Sequence, residues 1–212
     1  MRVLVACEVS GVVRDAFRAK GHLAYSCDTQ PVFVDEGKTH PFHFCCDVRD
    51  LLGEKWDLVI AHPPCTYLCV TGNRWFKPEY KSRFPTREQQ RRDAINFFEV
   101  FTKLDWVDKV CIENPVGIMS RLYRKPDQII QPYQFGHKEA KKTCLWLKGL
   151  PPLKPTKIVE PEYTTYKSGK RMATWYSEAI KLSPEERSNV RSKTFQGIAD
   201  AMAEQWGFGG NY

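Results

Sequence analysis

The sequence predicts an α/β fold in which a mostly parallel sheet carries helices on both faces. Apolar, strand-like runs alternate along the chain with helical patterns, which is the order expected when helices connect parallel strands. One of these runs, Leu58–Ala61, is apolar at four consecutive positions, as is typical of a strand buried on both faces. With 212 residues and 42% hydrophobic content, the chain can bury a full core, and we expect one domain over residues 1–212.

The predicted elements follow one another in regular order. Strands are expected at residues 2–7, 24–27, 42–46, 58–61, 109–113 and 143–148. Helices are expected at residues 11–20, 87–104, 120–123 and 194–206, the last because Ile198, Ala201 and Met202 recur at helical spacing. Residues 149–190 are rich in proline and basic residues, and we expect them to form a reduced, irregular insert on the surface.

Composition narrows the class of protein. A net charge of +7 and a pI near 9.0 favour an acidic partner, most commonly nucleic acid. The eight cysteines are scattered through apolar segments of a chain of ordinary size, so we expect reduced thiols and a cytoplasmic location. No apolar run is long enough to span a bilayer and no signal-peptide pattern is present, so we expect a soluble protein without a membrane partner.

The most informative segment is DLVIAHPPCT at residues 57–66. An apolar strand runs into two prolines, which stop the sheet ladder and fix the backbone around Cys65. Ligands of open α/β sheets bind beyond the carboxyl ends of such strands, so Cys65 is a candidate thiol nucleophile. A buried structural cysteine is the alternative.

A candidate cofactor site follows the first strand. The strand runs directly into a helix through a turn made of Cys7, Glu8, Val9, Ser10 and Gly11. A single glycine does not support a dinucleotide, which needs several for its pyrophosphate, so a smaller cofactor without phosphate is favoured. Asp28 ends the second strand, where it can accept hydrogen bonds from a ribose diol, and Asp47 ends the third, where it can bind an adenine amino group. Each aspartate alone could equally be a cap or turn residue.

A third chemical element is VCIENP at residues 110–115, a second apolar strand that ends in a carboxylate before a proline. Glu113 should lie beside Cys65, because both occupy the carboxyl ends of strands in one sheet. A partly desolvated Glu113 next to a ring could be held protonated and donate a proton or a hydrogen bond. The alternative is a cap of the following turn.

Two segments interleave cations with aromatic rings, which pairs phosphate neutralisation with base stacking. Both are candidate DNA-binding segments, and solvated loops are the alternative for each. Their candidate contacts are Arg74, Trp75, Lys81 and Arg83 in the first segment and Lys167, Lys170 and Arg171 in the second.

With these pieces in order, the chain resembles the cytosine carbon-5 DNA methyltransferases over most of its length. Residues 63–65 (Pro-Pro-Cys) resemble the Pro-Cys nucleophile motif, and residues 113–115 (Glu-Asn-Pro) resemble the Glu-Asn-Val motif with proline in place of valine. The strand at Lys141 resembles the one that contacts the flipped base, with lysine where arginine is usual. The chain is similar in particular to small phage-encoded DNA methyltransferases, which share its AHPPCTYLC, QFGH and TCLWL segments.

The resemblance implies a Rossmann-like S-adenosylmethionine-dependent methyltransferase fold. It implies that Asp28 binds the ribose and Asp47 the adenine of S-adenosylmethionine, with the turn at residues 7–11 in place of a glycine-rich motif. Further cofactor contacts are implied at Val48, His62, Pro63 and Lys193.

The resemblance also implies a mechanism. The Cys65 thiolate adds to carbon-6 of cytosine, which makes carbon-5 nucleophilic toward the sulfonium methyl group. Glu113 stabilises the adduct at ring nitrogen-3, and Lys141 holds the carbonyl oxygen or lowers the pKa of Cys65. Pro64 and Asn114 complete the two catalytic motifs. The base must first leave the DNA stack.

Departures from the family leave further hypotheses open. About 50 residues separate Lys141 from Ser192, where the family has a large target-recognition domain, so we expect low sequence specificity or a single-stranded substrate. Lys193 stands where the family commonly has asparagine, which raises carboxy-S-adenosylmethionine and carboxymethyl transfer as an alternative. The chain is also compatible with a non-catalytic DNA-binding decoy, with action on RNA or free nucleotides, and with a zinc protein using His43, Cys45 and Cys46. We expect no metal, because adjacent cysteines in a strand point to opposite faces. The oligomeric state is open.

Overall fold

Eleven strands and six α-helices form the regular structure of residues 1–35 and 38–207, which are the residues that this computed structural model describes. The strands are β1 (Arg2–Ala6), β2 (Leu23–Asp28), β3 (Phe33–Asp35), β4 (Lys38–Thr39), β5 (His43–Cys45), β6 (Leu58–Ala61), β7 (Lys109–Pro115), β8 (Gln128–Ile130), β9 (Thr143–Lys148), β10 (Tyr163–Thr165) and β11 (Arg171–Ala173). The helices are α1 (Val12–Ala19), α2 (Arg87–Thr102), α3 (Met119–Leu122), α4 (Thr174–Ala179), α5 (Pro184–Ser192) and α6 (Gln196–Gly207).

Seven of the strands form one sheet in the order β5-β2-β1-β6-β7-β9-β8. The pairs among β5, β2, β1, β6 and β7 are parallel, whereas β9 is antiparallel to both β7 and β8. This topology confirms the predicted mostly parallel α/β sheet. Because β1, β2, β6 and β7 are parallel, their carboxyl ends meet at one side of the sheet, which we call the carboxyl edge.

Two hydrophobic cores cover the two faces of the sheet. Successive residues of β1 enter opposite cores, Val3 the first and Leu4 the second, which explains why the strand is apolar at every position. The first core is closed by α1 and α6 through Phe17 and Trp206, and the second by α2 through Phe98. Burying a ring such as Phe98 contributes about 1.5–3 kcal/mol. Helices therefore cover both faces, as predicted.

Residues 149–190 contain more regular structure than predicted. The strands β10 and β11 pair as an antiparallel hairpin, with Gly169 at a positive φ of 78° in the turn. The helices α4 and α5 follow, and α5 begins at a capping box in which Ser183 and Glu186 exchange hydrogen bonds. The expectation of an irregular segment was wrong because strands of three residues leave no periodic signal and the composition is typical of loops.

The remaining differences from the predicted elements concern very short strands. The strands β6 and β9 have the predicted bounds. The β3–β4 hairpin and β8 were not predicted, and each has three residues or fewer per strand.

None of the helices in residues 1–35 and 38–207 combines the length and apolar character that crossing a bilayer requires.

Candidate active site at the carboxyl edge of the sheet

Cys65 and Glu113 lie beside each other at the carboxyl edge. Their strands, β6 and β7, are adjacent and parallel, and Ala61 pairs with Ile112. Glu113 lies within β7, one residue beyond this pair, and Cys65 follows the end of β6 by four residues. The two side chains are close enough for their charges to interact. The structure therefore brings together the thiol and the carboxylate that the sequence pattern singles out.

Hydrogen bonds fasten the loop that carries Cys65, residues 62–70, to the end of β7. The buried Asn114 side-chain amide donates to the carbonyl oxygen of Pro63 at 2.6 Å. Further along, the backbone N–H of Ile118 donates to the Leu68 carbonyl at 2.9 Å. A side chain at Gly117 would overlap that same carbonyl, so the close approach of the two segments requires glycine. Asn114 thus holds the loop in place, and a direct catalytic role for it stays a prediction.

Cys65 is one half of a thiol pair that the sequence interpretation did not identify. The backbone N–H of Cys69 donates to the Cys65 carbonyl at 3.0 Å, closing a helical turn that places both sulfurs on one side. A hydrogen bond donated by Cys65, together with the Thr71 hydroxyl at 3.1 Å and the N–H of Gly72, lowers the pKa of Cys69. The hydrogen bond to Cys69, burial and the charge of Cys69 raise the pKa of Cys65. The two thiols together thus lose a first proton at a lower pH than an ordinary thiol does, and a second proton only at a higher pH.

Glu113 is held by His62. His62 Nδ1 lies 2.9 Å from Glu113 Oε2, and the two side chains are 11% and 17% exposed. Burial would raise the pKa of Glu113, but the hydrogen bond and charge of His62 and the charge of Lys141 outweigh it and hold this pKa below its usual value. His62 and Lys141 thus favour the ionised form of Glu113, an influence that the sequence interpretation overlooked, and a protonated Glu113 beside a ring stays a prediction.

The other predicted cation of the site, Lys141, is anchored by the end of α5. Its Nζ donates to the Arg191 carbonyl at 2.7 Å, where a cation is favoured at a helix carboxyl end. The charge of Lys141 lowers the pKa of Cys65, against the influences that raise it, and so favours the thiolate. Lys193 lies one residue beyond α5 with an exposed side chain and no ion pair among the described residues. The carboxymethyl alternative, which depended on Lys193, thus gains no support.

The turn between β1 and α1 is built around a buried carboxylate. Glu8 is 4% exposed and accepts hydrogen bonds from the backbone N–H groups of Val13 at 2.7 Å and Arg14 at 3.2 Å. It therefore caps the first turn of α1. Burial nevertheless raises the pKa of Glu8. Both Glu8 oxygens thus lie at the amino end of α1, and the cofactor contact at Glu8 stays a prediction.

The rest of this turn has mixed exposure. Cys7 has a positive φ of 60°, which is unusual for a residue with a side chain. Burial and the charges of Asp28 and Asp47 raise the pKa of Cys7 to about 12, so its thiol stays neutral. Val9 and Ser10 are exposed, and Gly11 begins α1 at a φ of 69°.

The two predicted cofactor aspartates differ in their contacts. Hydrogen bonds from the side chain and backbone N–H of Arg49 lower the pKa of Asp47 to about 2. Asp47 thus caps a short 3₁₀ turn, and Val48 beside it is buried in the second core. Asp28 accepts through Oδ1 from the N–H of Gln30 at 3.0 Å, while Oδ2 has no partner within the described ranges.

These contacts allow a test of whether S-adenosylmethionine fits. Asp28 Oδ2 offers an acceptor for a ribose diol, and the neutral Cys7 thiol offers an uncharged surface against which a base can pack. His62 Nε2 is buried and has no hydrogen-bond partner in the described part of the chain. Pro63 is buried and gives its carbonyl oxygen to Asn114, which leaves it only a packing role. Asp28, Cys7 and His62 fit the cofactor, whereas Asp47 must first release Arg49.

The first candidate DNA-binding segment forms a ring-lined surface. Trp75 packs edge to face against Phe84 with ring centroids 5.6 Å apart, and the Arg74 guanidinium lies 4.2 Å from the Trp75 ring centre. These rings border a cavity of about 190 Å³ whose lining includes Lys77 and Arg87. The predicted cations Lys81 and Arg83 are exposed. The segment thus offers cations and partly exposed rings together.

The second candidate segment is the β10–β11 hairpin. Its turn and the start of β11 expose Lys167, Lys170 and Arg171. The Arg171 guanidinium lies 4.7 Å from the Tyr163 ring centre across the hairpin. Three cations on one short projecting element are suited to phosphate contacts.

The side chains of the zinc hypothesis have partners of their own. His43 Nδ1 lies 2.8 Å from Ser26 Oγ, and Nε2 lies 2.9 Å from the Gln30 carbonyl. The sulfur of Cys46 contacts that of Cys27 at 3.8 Å, while Cys45 is exposed. Within residues 1–35 and 38–207, no three His, Cys, Asp or Glu side chains converge as metal ligands. The zinc hypothesis was therefore wrong for His43, whose two ring nitrogens are both engaged.

Fold and site together define a Rossmann-like α/β protein with a thiol pair and a histidine-bound carboxylate at the carboxyl edge of its sheet. No protein-family model matches the sequence, and no curated protein is similar to it. Among solved structures, the chain is similar to a candidate DNA modification methyltransferase encoded within a prophage of E. coli. The match has 17% sequence identity and a TM-score of 0.46, and it covers 74% of this chain and 51% of that chain. The matched region thus spans about half of the solved protein.

Proposed function

We propose that this protein is a DNA cytosine carbon-5 methyltransferase that uses S-adenosylmethionine and Cys65 as its nucleophile. The observation that carries the proposal is the joining of two motifs at the carboxyl edge. Asn114, beside Glu113, holds the carbonyl of Pro63 at 2.6 Å and so fixes Cys65 next to the carboxylate. A nucleophile fixed beside a carboxyl group that can act on ring nitrogen-3 is what addition to a pyrimidine ring requires.

The thiol pair supports nucleophilic attack near neutral pH. Cys69 stabilises the first negative charge of the pair, and the Lys141 charge favours its presence on Cys65. One proton passing from Cys65 to Cys69 converts the resting pair into its reactive form without any exchange with solvent. The protein thus contains a local base for the nucleophile.

The cofactor would bind at the ends of β1 and β2. Asp28 Oδ2 would accept from the ribose hydroxyls, and Cys7 would line the adenine side. Bound there, S-adenosylmethionine supplies an electrophilic methyl group. The role proposed for Asp47 requires its carboxylate to leave Arg49, and the exposure of the Arg49 side chain allows that exchange.

DNA would be held by the two exposed basic segments. The Trp75 surface offers rings for an unstacked base, and the β10–β11 hairpin offers phosphate contacts. The contacts that these two segments offer are to phosphates and to stacked bases, and such contacts carry little sequence information. They therefore agree with low sequence specificity or a single-stranded substrate.

A covalent trap tests the proposal directly. DNA containing 5-fluorocytosine is incubated with the protein and S-adenosylmethionine, in single- and double-stranded form. Fluorine cannot leave carbon-5 as a proton does, so the Cys65 adduct should persist and add the mass of the DNA to the protein. Peptide mapping should place the adduct on Cys65.

The matched controls are two cysteine variants. Cys65→Ala should form no adduct, whereas Cys45→Ala, which alters an exposed cysteine on β5, should form it as the wild type does. Nucleoside mass spectrometry of ordinary DNA should show methylcytosine with wild-type and Cys45→Ala protein and none with Cys65→Ala. If wild-type protein yields neither adduct nor methylcytosine on any substrate, the proposed function is wrong.

A further inference from the structure

A largely buried side chain at the carboxyl edge, so far only a candidate cofactor contact, has no part in the catalytic steps proposed above. His62 lies three residues before Cys65 and directs Nδ1 at Glu113 Oε2, 2.9 Å away. Its Nε2 is buried and unpartnered in the described ranges. A histidine with one nitrogen on a carboxylate and the other unengaged is placed to hold a proton and to pass it on.

The charges around His62 favour its protonated form. The carboxyl groups of Glu113 on β7 and Glu8 in the β1–α1 turn lie close enough to favour a charged His62, and one cation, Lys141, lies close enough to oppose them. Burial would lower the pKa of His62, but the Glu113 hydrogen bond and the two carboxylates outweigh burial and raise this pKa above its usual value. These influences favour an imidazolium paired with an ionised Glu113, with one proton between Nδ1 and Oε2, which lie 2.9 Å apart.

We propose that His62 and Glu113 share one transferable proton, and that His62 supplies it through Glu113 to ring nitrogen-3 of the target cytosine. This role rests on the proposed function. An ionised Glu113 has no proton to give, so the carboxylate alone cannot protonate the base. His62 resolves that conflict because a proton moving 2.9 Å along an existing hydrogen bond turns Glu113 into an acid.

In the addition step, the thiolate electron pair forms the bond between Cys65 Sγ and carbon-6. The carbon-5 to carbon-6 π pair shifts to the bond between carbon-4 and carbon-5, and the carbon-4 to nitrogen-3 π pair moves onto nitrogen-3, where it binds the proton. The Nδ1 proton of His62 passes to Glu113 as Glu113 delivers a proton to nitrogen-3. The step ends with neutral His62, ionised Glu113 and a neutral enamine bound to Cys65. His62 is a positioning residue here, because it acts through Glu113.

The variant that tests this role is His62→Asn. An asparagine amide can donate to Glu113 from nearly the place of Nδ1, yet it carries no transferable proton. We expect adduct formation with 5-fluorocytosine DNA to fall about 10- to 100-fold at neutral pH. The alkaline fall of the rate, which reports loss of the shared proton in the wild type, should shift to lower pH. The control is His40→Asn, since His40 contacts Phe42 outside the site.

A second measurement needs neither DNA nor cofactor. Titration of the His62 imidazole by NMR should give a pKa above the usual 6.5 in wild-type protein and a lower one in Glu113→Gln. A wild-type pKa at or below 6.5 would overturn the shared proton whatever the reaction is. An unchanged rate and pH profile in folded His62→Asn would overturn the role of His62 while leaving Cys65 chemistry intact. Absence of any wild-type adduct would refute the proposed function and, with it, this role.

Discussion

The side-chain amide of Asn114 donates a hydrogen bond to the carbonyl oxygen of Pro63 across 51 residues of sequence. Both groups are buried, so each supplies the hydrogen-bond partner that the other needs. Because Pro63 precedes Cys65 by two residues, this hydrogen bond fixes the position of the thiol relative to β7.

Replacing Asn114 with alanine should therefore weaken both the fold and the site. The Pro63 carbonyl would lose its buried donor, so urea unfolding should show a loss of about 1–3 kcal/mol in the free energy of unfolding. Adduct formation should fall further than this loss explains, because the loop at residues 62–70 is no longer fixed. The control Asn96→Ala, on an exposed position of α2, should be near neutral. Unchanged adduct formation in folded Asn114→Ala would contradict the positioning role.

The thiol pair predicts a specific pH dependence of alkylation. In wild-type protein, the first ionisation of the pair should occur below the pKa of an ordinary thiol, because Cys69 accepts a hydrogen bond from Cys65. In Cys69→Ala, only the partly buried Cys65 remains, and burial should raise the pKa of its ionisation. Iodoacetamide labelling of residue 65, measured against pH by mass spectrometry, should show this upward shift. Superimposable wild-type and variant curves would mean that the two thiols are independent.

Gly117 predicts a steric effect on the same loop. The variant Gly117→Ala would push a methyl group against the Leu68 carbonyl and force the two segments apart. We expect a loss of about 1–3 kcal/mol in the free energy of unfolding, as in overpacked sites generally. Gly53→Ala is the control, since a methyl group there meets open space. Thermal melting measures both, and equal melting temperatures would show that the loop can shift without cost.

The His62–Glu113 pair predicts how stability varies with pH. The pKa of His62 is raised, so its contribution is complete below about 6.5 and is lost as pH rises through the folded pKa. The pKa of Glu113 is lowered, so its contribution is complete above about 4.5 and is lost as pH falls through the folded pKa. The pair should thus stabilise the fold most between these values. Urea unfolding at stepped pH should show the alkaline loss in wild-type protein and not in Glu113→Gln.

The basic hairpin predicts a change in salt dependence. Removing Lys167 and Lys170 together should weaken DNA binding and reduce the slope of log affinity against log salt by about 1–2. The matched control is the double alanine variant of Lys55 and Lys103, two exposed lysines that precede β6 and β7 and so lie toward the opposite edge of the sheet. Fluorescence anisotropy across a salt series distinguishes them. Equal slopes for the two double variants would show that the hairpin makes no phosphate contact.

Much of the fold follows from local pattern. The apolar runs of β1, β6 and β7 mark strands buried on both faces, and parallel pairing then dictates that Cys65 and Glu113 share an edge. Short strands such as β8 escaped prediction, because three residues cannot show a period and their pairing is decided by distant partners.

The site was less predictable where local contacts compete with ligand binding. Asp47 has its carboxylate on Arg49 two residues away, and Glu8 caps α1, so an acid at a strand end did not mean an acid facing a ligand. The pairing of His62 with Glu113 joins residues 51 positions apart and has no sequence signal. The spacing of Cys65 and Cys69, four residues, was the one signal that could have revealed the thiol pair.

The packing of α6 against α1 and β1 has a consequence for synthesis. Met202 and Trp206 complete the core that Val3 and Phe17 begin, so the earliest strand depends on the last described helix. After β1 has been made, synthesis continues for roughly 10–40 s before residues 196–207 leave the ribosome. Throughout that interval only α1 covers this side of the nascent sheet, and the exposed remainder of the core is a surface that a chaperone can bind.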